Sequence, residues 1–385
     1  MKILFIFGTR PETIKMAPLI KEFQKEDAFD VKICVTAQHR EMLDQVMEFF
    51  QIKSHYDLNM MKKNQTLFDI TINALKGIEE VLNNEQPHVI FVQGDTTTVL
   101  TGALAGYYTK TKVAHLEAGL RSHNKLSPYP EEVNRIITGH IADYHFAPTE
   151  KAKDNLENEN IKANVFVVGN TVIDALQLGL KIIGEKNKEK EITDFFSKNI
   201  NNFTGIIESK KVILVTGHRR ESFGKPFEDI CEAMLEIVKQ NENAHIIYPV
   251  HMNPNVREPV NRILNDNDRI HLIEPLSYPY LIWLMEKSYV VLTDSGGIQE
   301  EAPALGKPVL VMRDVTERTE GVEAGTAKLV GTDMDKIIQE TGKLLNDKSY
   351  YNNMAKAVNP YGDGTTSRQI VDIFKNIIIN REKTG

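Results

Sequence analysis

Residues 289–306 read YVVLTDSGGIQEEAPALG, an apolar run followed by two adjacent glycines and a helix-forming segment. The apolar run is typical of a buried strand, and the glycines mark the turn from that strand into a helix. A tight turn explains Gly296 and Gly297 without any ligand. Alternatively, the first N–H groups of the helix, which lack partners within it, bind a phosphate beside the Ser295 hydroxyl. The rest of the chain has to decide between these two interpretations.

Strand and helix patterns alternate on both sides of this stretch. Apolar runs of strand length are KILFIF, VKICV, HVIFVQ, KVAHLE and NVFVVG in the first half, and KVILVTG, AHIIYPV, RIHLIEP, YVVLTD and PVLVMRD in the second. Helical patterns lie between them. Such alternation predicts parallel sheets with helices on both faces, and near-continuous apolar strands fit sheets that are buried on both sides.

The length of 385 residues exceeds one ordinary core, so two domains are expected. We predict an α/β fold with two Rossmann-like, doubly wound domains over residues 1–170 and 171–363. The charge-rich stretch 184–199 is interpreted as a solvated helix or a linker between them. The amphipathic tail, residues 364–385, is predicted to form a terminal helix that packs back on the first domain.

Composition narrows the class of protein. Hydrophobic residues at 41% and charged residues at 26% describe a soluble globular chain. The net charge of -7 argues against a nucleic-acid partner, which normally requires a basic face. Cys34 and Cys231 are expected to be buried thiols. No apolar run is long enough for a signal peptide or a membrane span, so we expect a cytoplasmic protein without a membrane partner.

Candidate functional residues follow the predicted strands, because ligands of doubly wound sheets bind outside the carboxyl ends of the strands. Arg10 and Lys15 follow the first strand and suit a phosphate, although an arginine in a first helical turn is more often a surface residue. Asp95 and Glu117 each close an apolar strand, whereas Glu131 begins a helix, where the helix dipole explains it equally well. Carboxylates at one sheet edge suit acid–base catalysis, and no tight His/Asp spacing indicates a metal.

The second half offers groups that bind anions. His218 follows a strand end with two arginines behind it, and Arg318 lies in a later loop. Glu301 lies in the helix that Gly296 and Gly297 begin, where an acid can accept both hydroxyls of a ribose. Together these groups favour the phosphate interpretation of the glycine pair. They predict a nucleoside diphosphate sugar, with its nucleotide in the second domain and its sugar facing the carboxylates of the first.

A long, ordered set of motifs resembles the non-hydrolysing UDP-N-acetylglucosamine 2-epimerases. The motifs run from Gly8 to about Gly331 and are GTRPE, TAQHR, QGDTTT, HLEAGLRS, PEEVNR, HFAPTE, GNTVIDA, TGHRRESFG, DSGGIQEEAPALGKPVLVMRDVTER and GVEAGT. The resemblance implies the GT-B fold, with two Rossmann-like domains around a deep cleft. It implies an isomerase that interconverts UDP-N-acetylglucosamine (UDP-GlcNAc) and UDP-N-acetylmannosamine (UDP-ManNAc) for surface polysaccharide synthesis. It further implies a homodimer with neither cofactor nor metal.

The resemblance also assigns functions to residues of this sequence. The candidate catalytic residues are Asp95, Glu117, Glu131 and His218. The candidate substrate-binding residues are Arg10, Lys15, Asp95, Glu117, His218, Leu276, Leu281, Ser295, Gly296, Gly297, Glu301 and Arg318. Leu281 stands where many members have an aromatic residue beside uracil, so the base is expected to pack on aliphatic surface or on Tyr278. Some members bind a second substrate molecule as an activator near the segment matching Gln38 to Arg40.

The chemistry that the resemblance implies begins with removal of the C2 proton by a carboxylate while UDP leaves C1. This step produces 2-acetamidoglucal. A second acid then protonates the opposite face of C2 and UDP adds back. Glu117 and Glu131 are the candidate proton carriers, and Asp95 is expected to orient the sugar or assist transfer. Three alternatives stay open: a hydrolysing epimerase that releases free N-acetylmannosamine and UDP, a GT-B glycosyltransferase, and a non-catalytic nucleotide-sugar sensor.

Overall fold

The computed structural model describes residues 1–36, 40–60, 65–185 and 188–384, with the side chains of 380–384 left aside. The chain divides into two units. Unit 1 comprises residues 1–178 and 361–385, and unit 2 comprises residues 179–360. Of the segment expected near an activator site, Gln38 and His39 lie outside the described residues, and Arg40 begins a helix.

Unit 1 is built on a sheet of seven parallel strands in the order β3-β2-β1-β4-β5-β6-β7. Its strands are β1 (Lys2–Phe7), β2 (Asp30–Val35), β3 (Tyr56–Asp57), β4 (Val89–Gln93), β5 (Lys112–Leu116), β6 (Tyr144–Ala147) and β7 (Val165–Val167). Its helices are α1 (Arg10–Phe23), α2 (Arg40–Phe49), α3 (Leu67–Glu85), α4 (Thr97–Tyr108), α5 (Glu131–Ile141), α6 (Glu150–Asn158), the first part of α7 (Thr171–Glu185), and the last helix of the chain, Thr366–Thr384.

Unit 2 contains a second parallel sheet, with six strands in the order β10-β9-β8-β11-β12-β13. Its strands are β8 (Lys211–Thr216), β9 (Ala244–Pro249), β10 (Ile270–Ile273), β11 (Val290–Thr293), β12 (Val309–Val311) and β13 (Ala327–Leu329). Its helices are α8 (Lys188–Asn199), α9 (Phe203–Ser209), α10 (Lys225–Gln240), α11 (Pro254–Leu264), α12 (Tyr278–Lys287), α13 (Gly296–Ala304), α14 (Thr319–Glu323), α15 (Met334–Asn346) and α16 (Lys348–Ala355), so the last helix of unit 1 is α17.

Both sheets confirm the predicted fold class of two Rossmann-like parallel domains. Residues 3–7 of β1 and residues 212–215 of β8 are almost completely buried, as expected for central strands covered by helices on both faces. In each unit the strand order reverses beside this central strand, between β1 and β4 in unit 1 and between β8 and β11 in unit 2. The carboxyl ends of strands at such a reversal form the binding edge of a doubly wound sheet.

The charge-rich stretch 184–199 contributes to the packing of unit 2 and is not a linker where it is described. Phe196 of α8 is buried, and its ring stacks on Phe203 and Trp283 with centroids 4.9 and 5.6 Å away. The Trp283 indole N–H donates to Glu189 at 3.2 Å. The charges therefore cover one face of a helix whose other face is apolar.

The C-terminal helix α17 contributes an aromatic side chain to unit 1. The fully buried ring of Phe374 lies 5.2 Å from Phe91, 5.2 Å from Tyr144 and 5.9 Å from Phe23, measured between centroids. Both cysteines of the chain are buried and unpaired, as the sequence predicts. Within the described residues, no helix is long and apolar enough to cross a membrane.

Two histidines in neighbouring strands of unit 1 predict a loss of stability in acid. Burial lowers the pKa of His115 to about 3 and that of His145 to about 4. Between these values and about pH 6.5 the unfolded chain binds protons that the folded chain does not, so folding stability is fully present above pH 6.5 and falls below it. Each histidine is expected to cost about 2 kcal/mol at pH 5 relative to pH 7. Urea unfolding at the two pH values measures this loss.

The matched variants for that measurement are His115→Gln and His140→Gln. His115 Nε2 donates to the Gly94 carbonyl at 2.8 Å, and a glutamine amide can keep that donor without titrating. His140 is exposed on α5. We expect His115→Gln to reduce the pH dependence and His140→Gln to leave it unchanged. Equal slopes for all three proteins would contradict the burial argument.

Candidate functional site

Glu117 is the centre of a polar cluster at the carboxyl edge of the unit 1 sheet. Lys15 Nζ lies 2.6 and 2.8 Å from its two carboxylate oxygens. The Gln93 side-chain amide donates to it at 2.6 Å and the Asn170 amide at 2.9 Å. Only 7% of the Glu117 side chain is exposed. An ammonium and two amide donors around one buried carboxylate favour its ionised form, which is the form required of a base.

The backbone of Glu117 is also unusual. Its φ of 62° lies in the left-handed region, which non-glycine residues rarely adopt. The residue directly follows β5 (Lys112–Leu116), and the next N–H, that of Ala118, donates to the Phe146 carbonyl of β6 at 3.1 Å. The strand thus ends with a turn that aims the carboxylate at Lys15. Backbone strain of this kind clusters at functional sites.

Asp95, which lies just after β4, is the centre of a second group of polar contacts. Its carboxylate is paired with the Arg135 guanidinium, and its carbonyl oxygen accepts a hydrogen bond from the Asn134 side chain at 2.9 Å. Arg135 also lies 3.2 Å from Glu132, and 9% of its side chain is exposed. Because the bound guanidinium holds the Asp95 carboxylate in one orientation, the geometry suits a residue that orients a ligand better than one that passes protons.

The two acids that begin α5 have different environments. Glu132 is 1% exposed, and its carboxylate accepts hydrogen bonds from the backbone N–H groups of Ser122 and His123 at 2.9–3.0 Å. It therefore fixes the preceding loop. Glu131, the predicted catalytic acid, is half-buried, and within the described residues no hydrogen bond or ion pair connects its side chain to Glu117.

Glu12 links the two loops at the sheet reversal. One of its oxygens accepts from the N–H groups of Gly8 and Thr9 at 2.9 and 2.7 Å, and the other accepts from the Thr96 hydroxyl at 2.6 Å. Burial raises the pKa of its carboxyl group. Glu12 thus fixes the start of α1, where Arg10 is exposed, against the loop that carries Asp95.

In unit 2 the helix α13 begins at the glycine pair. Ser295 precedes its first turn, and the Ser295 hydroxyl makes no capping hydrogen bond. A Cβ on Gly296 would lie 3.5 Å from the guanidinium carbon of Arg318, so this cation lies beside the start of the helix. A Cβ on Gly297 would contact Glu301 at 3.7 Å. A helix N-terminus with an adjacent guanidinium is a site for a phosphate or another anion.

Asp294, the residue before Ser295, holds the loop that follows β8. One carboxylate oxygen accepts from the backbone N–H groups of His218 and Arg219 at 2.5 and 2.7 Å, and the other lies 3.2 Å from His218 Nδ1. Burial raises the pKa of Asp294, but the contacts with His218 and Arg219 outweigh it and lower the pKa overall. Since Nδ1 faces this carboxylate, the other ring nitrogen of His218 is directed away from Asp294.

An ion-pair network joins the loops that carry the arginines. Arg313 Nε lies 2.7 Å from Glu221, and its Nη1 lies 2.9 Å from Glu317. Arg318 lies 3.5 Å from the same Glu317 and 2.8 Å from Glu300. Burial raises the pKa of Glu317, but the charges of Arg318 and Arg313 outweigh it and bring it to about 2. Glu317 therefore stays charged at neutral pH, and its contact with Arg318 helps to fix that side chain near α13.

The remaining predicted contacts of unit 2 lie on and beside α12 and α13. Glu301 is 6% exposed and accepts a hydrogen bond from the Tyr278 hydroxyl at 3.1 Å. Leu276 and Leu281 are both half-buried. Tyr278 itself is 5% exposed, so its ring is not available for stacking on a base in this structure. Its hydroxyl instead orients the Glu301 carboxylate.

The structure thus brings some predicted residues together and leaves others apart. Lys15 contacts Glu117 directly, and Arg318 lies beside Gly296, whereas Arg10 is exposed at the start of α1. Sequence reasoning did not single out Gln93, Asn170, Arg135, Asp294 or Glu317, although all five lie inside the quoted sequence motifs. Within the described residues, no three metal-ligating side chains form a cluster.

The chain is similar to known proteins along most of its length. The family model described as UDP-N-acetylglucosamine 2-epimerase matches residues 21–375. The UDP-N-acetylglucosamine 2-epimerase of Escherichia coli (strain K12) is 52% identical over 377 residues, which cover 98% of this chain and 99% of that protein.

Two solved structures are similar along the whole chain. The UDP-GlcNAc 2-epimerase from Neisseria meningitidis, crystallised bound to UDP-GlcNAc, has a TM-score of 0.88 at 48% identity and covers 98% of this chain and 100% of its own. The enzyme from Methanocaldococcus jannaschii, in complex with UDP-GlcNAc and UDP, has a TM-score of 0.79 at 37% identity and covers 98% and 100%.

Proposed function

The chain belongs to the UDP-N-acetylglucosamine 2-epimerase family of isomerases, and from this premise we propose that it interconverts UDP-GlcNAc and UDP-ManNAc without net hydrolysis. The observation that carries the proposal is the buried Glu117 carboxylate, held ionised by Lys15 at the carboxyl edge of the unit 1 sheet. A base in that position is what removal of a weakly acidic C2 proton requires. The protein is proposed to act as a homodimer in the cytoplasm.

The nucleotide is assigned to unit 2. Its diphosphate binds the first N–H groups of α13, beside Ser295 and between the side chains of Arg318 and His218. The ribose hydroxyls donate to Glu301. The uracil packs on the aliphatic side chains of Leu276 and Leu281, since the Tyr278 ring is buried. The cations and helix N–H groups stabilise the negative charge that UDP carries when it leaves.

The proton transfers are assigned to unit 1. The C2–H bond has no adjacent carbonyl, so the proton is removed only as UDP leaves C1. The C2–H electron pair becomes the C1=C2 double bond, and the C1–O pair leaves with UDP, which produces 2-acetamidoglucal. Protonation of C2 on the opposite face and attack of a UDP oxygen on C1 complete the epimerisation. Glu117 and Glu131 are the proton carriers, and Asp95, fixed by Arg135, orients the sugar.

Lys15 has two functions in this scheme. Its ammonium group pairs with the Glu117 carboxylate and favours the ionised form of that group. The negative charge of the substrate then competes with Glu117 for Lys15, which leaves Glu117 able to accept the C2 proton. Arg10, exposed at the first residue of α1, supplies a further cation for the phosphates.

Turnover in D₂O tests the scheme. We expect deuterium at C2 of the UDP-ManNAc formed and also at C2 of the recovered UDP-GlcNAc, because the proton exchanges with solvent at the intermediate. Proton NMR detects the replacement of hydrogen by deuterium directly, as loss of the C2–H signal. Free UDP is expected to stay at a trace level. The same incubation in D₂O without the protein is the control for spontaneous breakdown.

The alternative functions give outcomes in that experiment that differ from those of the proposed reaction. Free N-acetylmannosamine and UDP in equal amounts would show the hydrolysing reaction. A glycosyltransferase without an acceptor, or a sensor, would bind UDP-GlcNAc and leave its C2–H intact. Epimerisation without deuterium at C2 would exclude the proton-abstraction scheme while leaving the epimerase assignment in place.

A further inference from the structure

Hydrogen bonds fix both the backbone and the side chain of Asn170, which follows β7. Its backbone N–H donates to the Tyr361 carbonyl at 2.7 Å. Its side-chain oxygen accepts from the Val172 N–H at 3.1 Å, and its side-chain amide donates to Glu117 at 2.9 Å. Because the side-chain oxygen of Asn170 already accepts from the Val172 N–H, the group that faces Glu117 is the side-chain NH₂, which is a donor. The residue is 4% exposed.

The C-terminal segment of unit 1 holds the stretch that carries Asn170. The Thr366 hydroxyl donates to the Val168 carbonyl at 2.7 Å, and the Ser367 N–H donates to Asp174 at 2.7 Å. Gly169 has a φ of 87°, and a Cβ there would lie 3.0 Å from the Tyr361 carbonyl oxygen. The two segments therefore approach as closely as their backbones allow.

We propose that Asn170, which the segment 361–367 holds in place, is a positioning residue for Glu117. The proposal rests on the assignment of Glu117 as a proton carrier. Asn170 donates to one oxygen of the carboxylate and Gln93 to the other, with Lys15 spanning both. Each donor favours the ionised carboxylate and restricts its rotation. Asn170 is the donor whose own orientation is set by the end of the chain.

Asn170→Asp is the sharpest test, because it keeps the shape and replaces the donor with a second carboxyl group. Two carboxyl groups in contact disfavour the ionised form of Glu117. The pH at which half of Glu117 is ionised is therefore expected to be higher in the variant than in the wild type. In the plot of kcat/KM against pH, the acidic limb is expected to move to higher pH by about one unit. At a given pH on the acidic limb, where turnover follows the ionised fraction of Glu117, this shift is expected to lower turnover about tenfold. UDP affinity is expected to stay unchanged, because the nucleotide is assigned to unit 2.

Asn170→Ala is the second variant, and it adds no charge. A cavity of about 10 Å³, about the volume one water needs, already lies against Gln93, Glu117, Asn170 and Thr366. A water that enters the space left by the amide can replace part of the lost hydrogen bond. The acidic limb is therefore expected to move in the same direction as in Asn170→Asp, by a smaller amount.

The matched control is Gln177→Ala. The Gln177 side chain donates to the Asp363 carbonyl at 2.9 Å, so it binds the same C-terminal segment without contacting Glu117. An unchanged pH profile is expected for this variant. Two results would overturn the positioning role. One is an acidic limb at the wild-type pH in Asn170→Asp, and the other is a shift of the acidic limb in Gln177→Ala equal to that in Asn170→Asp. A Glu117→Gln variant with wild-type turnover would instead contradict the proposed function on which it rests.

Discussion

Glu117→Gln is expected to lower turnover by roughly 10²–10⁴-fold, the usual contribution of a positioned general base. Glutamine keeps the volume of the side chain but cannot accept a proton at neutral pH. The variant is expected to bind UDP as the wild type does, because the nucleotide is assigned to unit 2. Steady-state kinetics with UDP-GlcNAc and calorimetry with UDP measure the two quantities separately. The same variant is expected to lose deuterium incorporation at C2.

The substitution also removes the carboxylate that pairs with Lys15, so folding has to be monitored. Both side chains of that pair are mostly buried, at 13% and 7% exposure, and loss of one partner is destabilising. Thermal unfolding distinguishes a folded, inactive variant from an unfolded one. Glu157→Gln, on the exposed face of α6, makes the same chemical change and is expected to be silent. Wild-type turnover in a folded Glu117→Gln variant would remove Glu117 from the proton transfers.

Asp294→Asn is expected to have the second largest effect, a loss of UDP affinity and turnover of roughly 10²-fold. The carboxylate accepts two backbone N–H groups, of His218 and Arg219, through one oxygen and faces His218 Nδ1 with the other. An asparagine can satisfy only one of these two sides, because its amide nitrogen presents a donor to a donor. The loop that carries His218 then loses its fixed position beside Ser295. Calorimetry with UDP measures the affinity.

Asp266→Asn is the matched control for this second variant. Asp266 is exposed after α11, and the substitution removes the same charge from the same unit. It is expected to leave UDP affinity unchanged. If Asp294→Asn bound UDP as tightly as Asp266→Asn, the loop after β8 would not contribute to the nucleotide site, and the assignment of His218 would fail with it.

The central strands are predictable from sequence because they are apolar throughout. β1 and β8 occupy the runs KILFIF and KVILVT. Three strands escape prediction for physical reasons. β3 and β13 are edge strands of two and three residues, too short for a periodic signal. β6 reads YHFA, where His145 interrupts the apolar run even though it is buried.

The candidate site is predictable mainly where its residues follow strands. Glu117 and Asp95 were singled out because an acid just after an apolar strand is expected at the sheet edge. Asn170 and Arg135 were not singled out, since they reach the two carboxylates from elements 40 or more residues away in sequence. Tyr278 illustrates the same limit. Its position beside Leu281 suggested a stacking surface, whereas the fold buries the ring and directs its hydroxyl to Glu301.

The return of the chain to unit 1 has a consequence for synthesis on the ribosome. Residues 361–384 supply Phe374 to the aromatic core of unit 1, together with the hydrogen bonds around Asn170. Unit 2, by contrast, is one continuous segment, residues 179–360. The nascent chain therefore contains all of unit 2 before it contains all of unit 1. The half that is translated first is completed last, and its carboxylate cluster becomes fully assembled only after residues 361–367 have been synthesised.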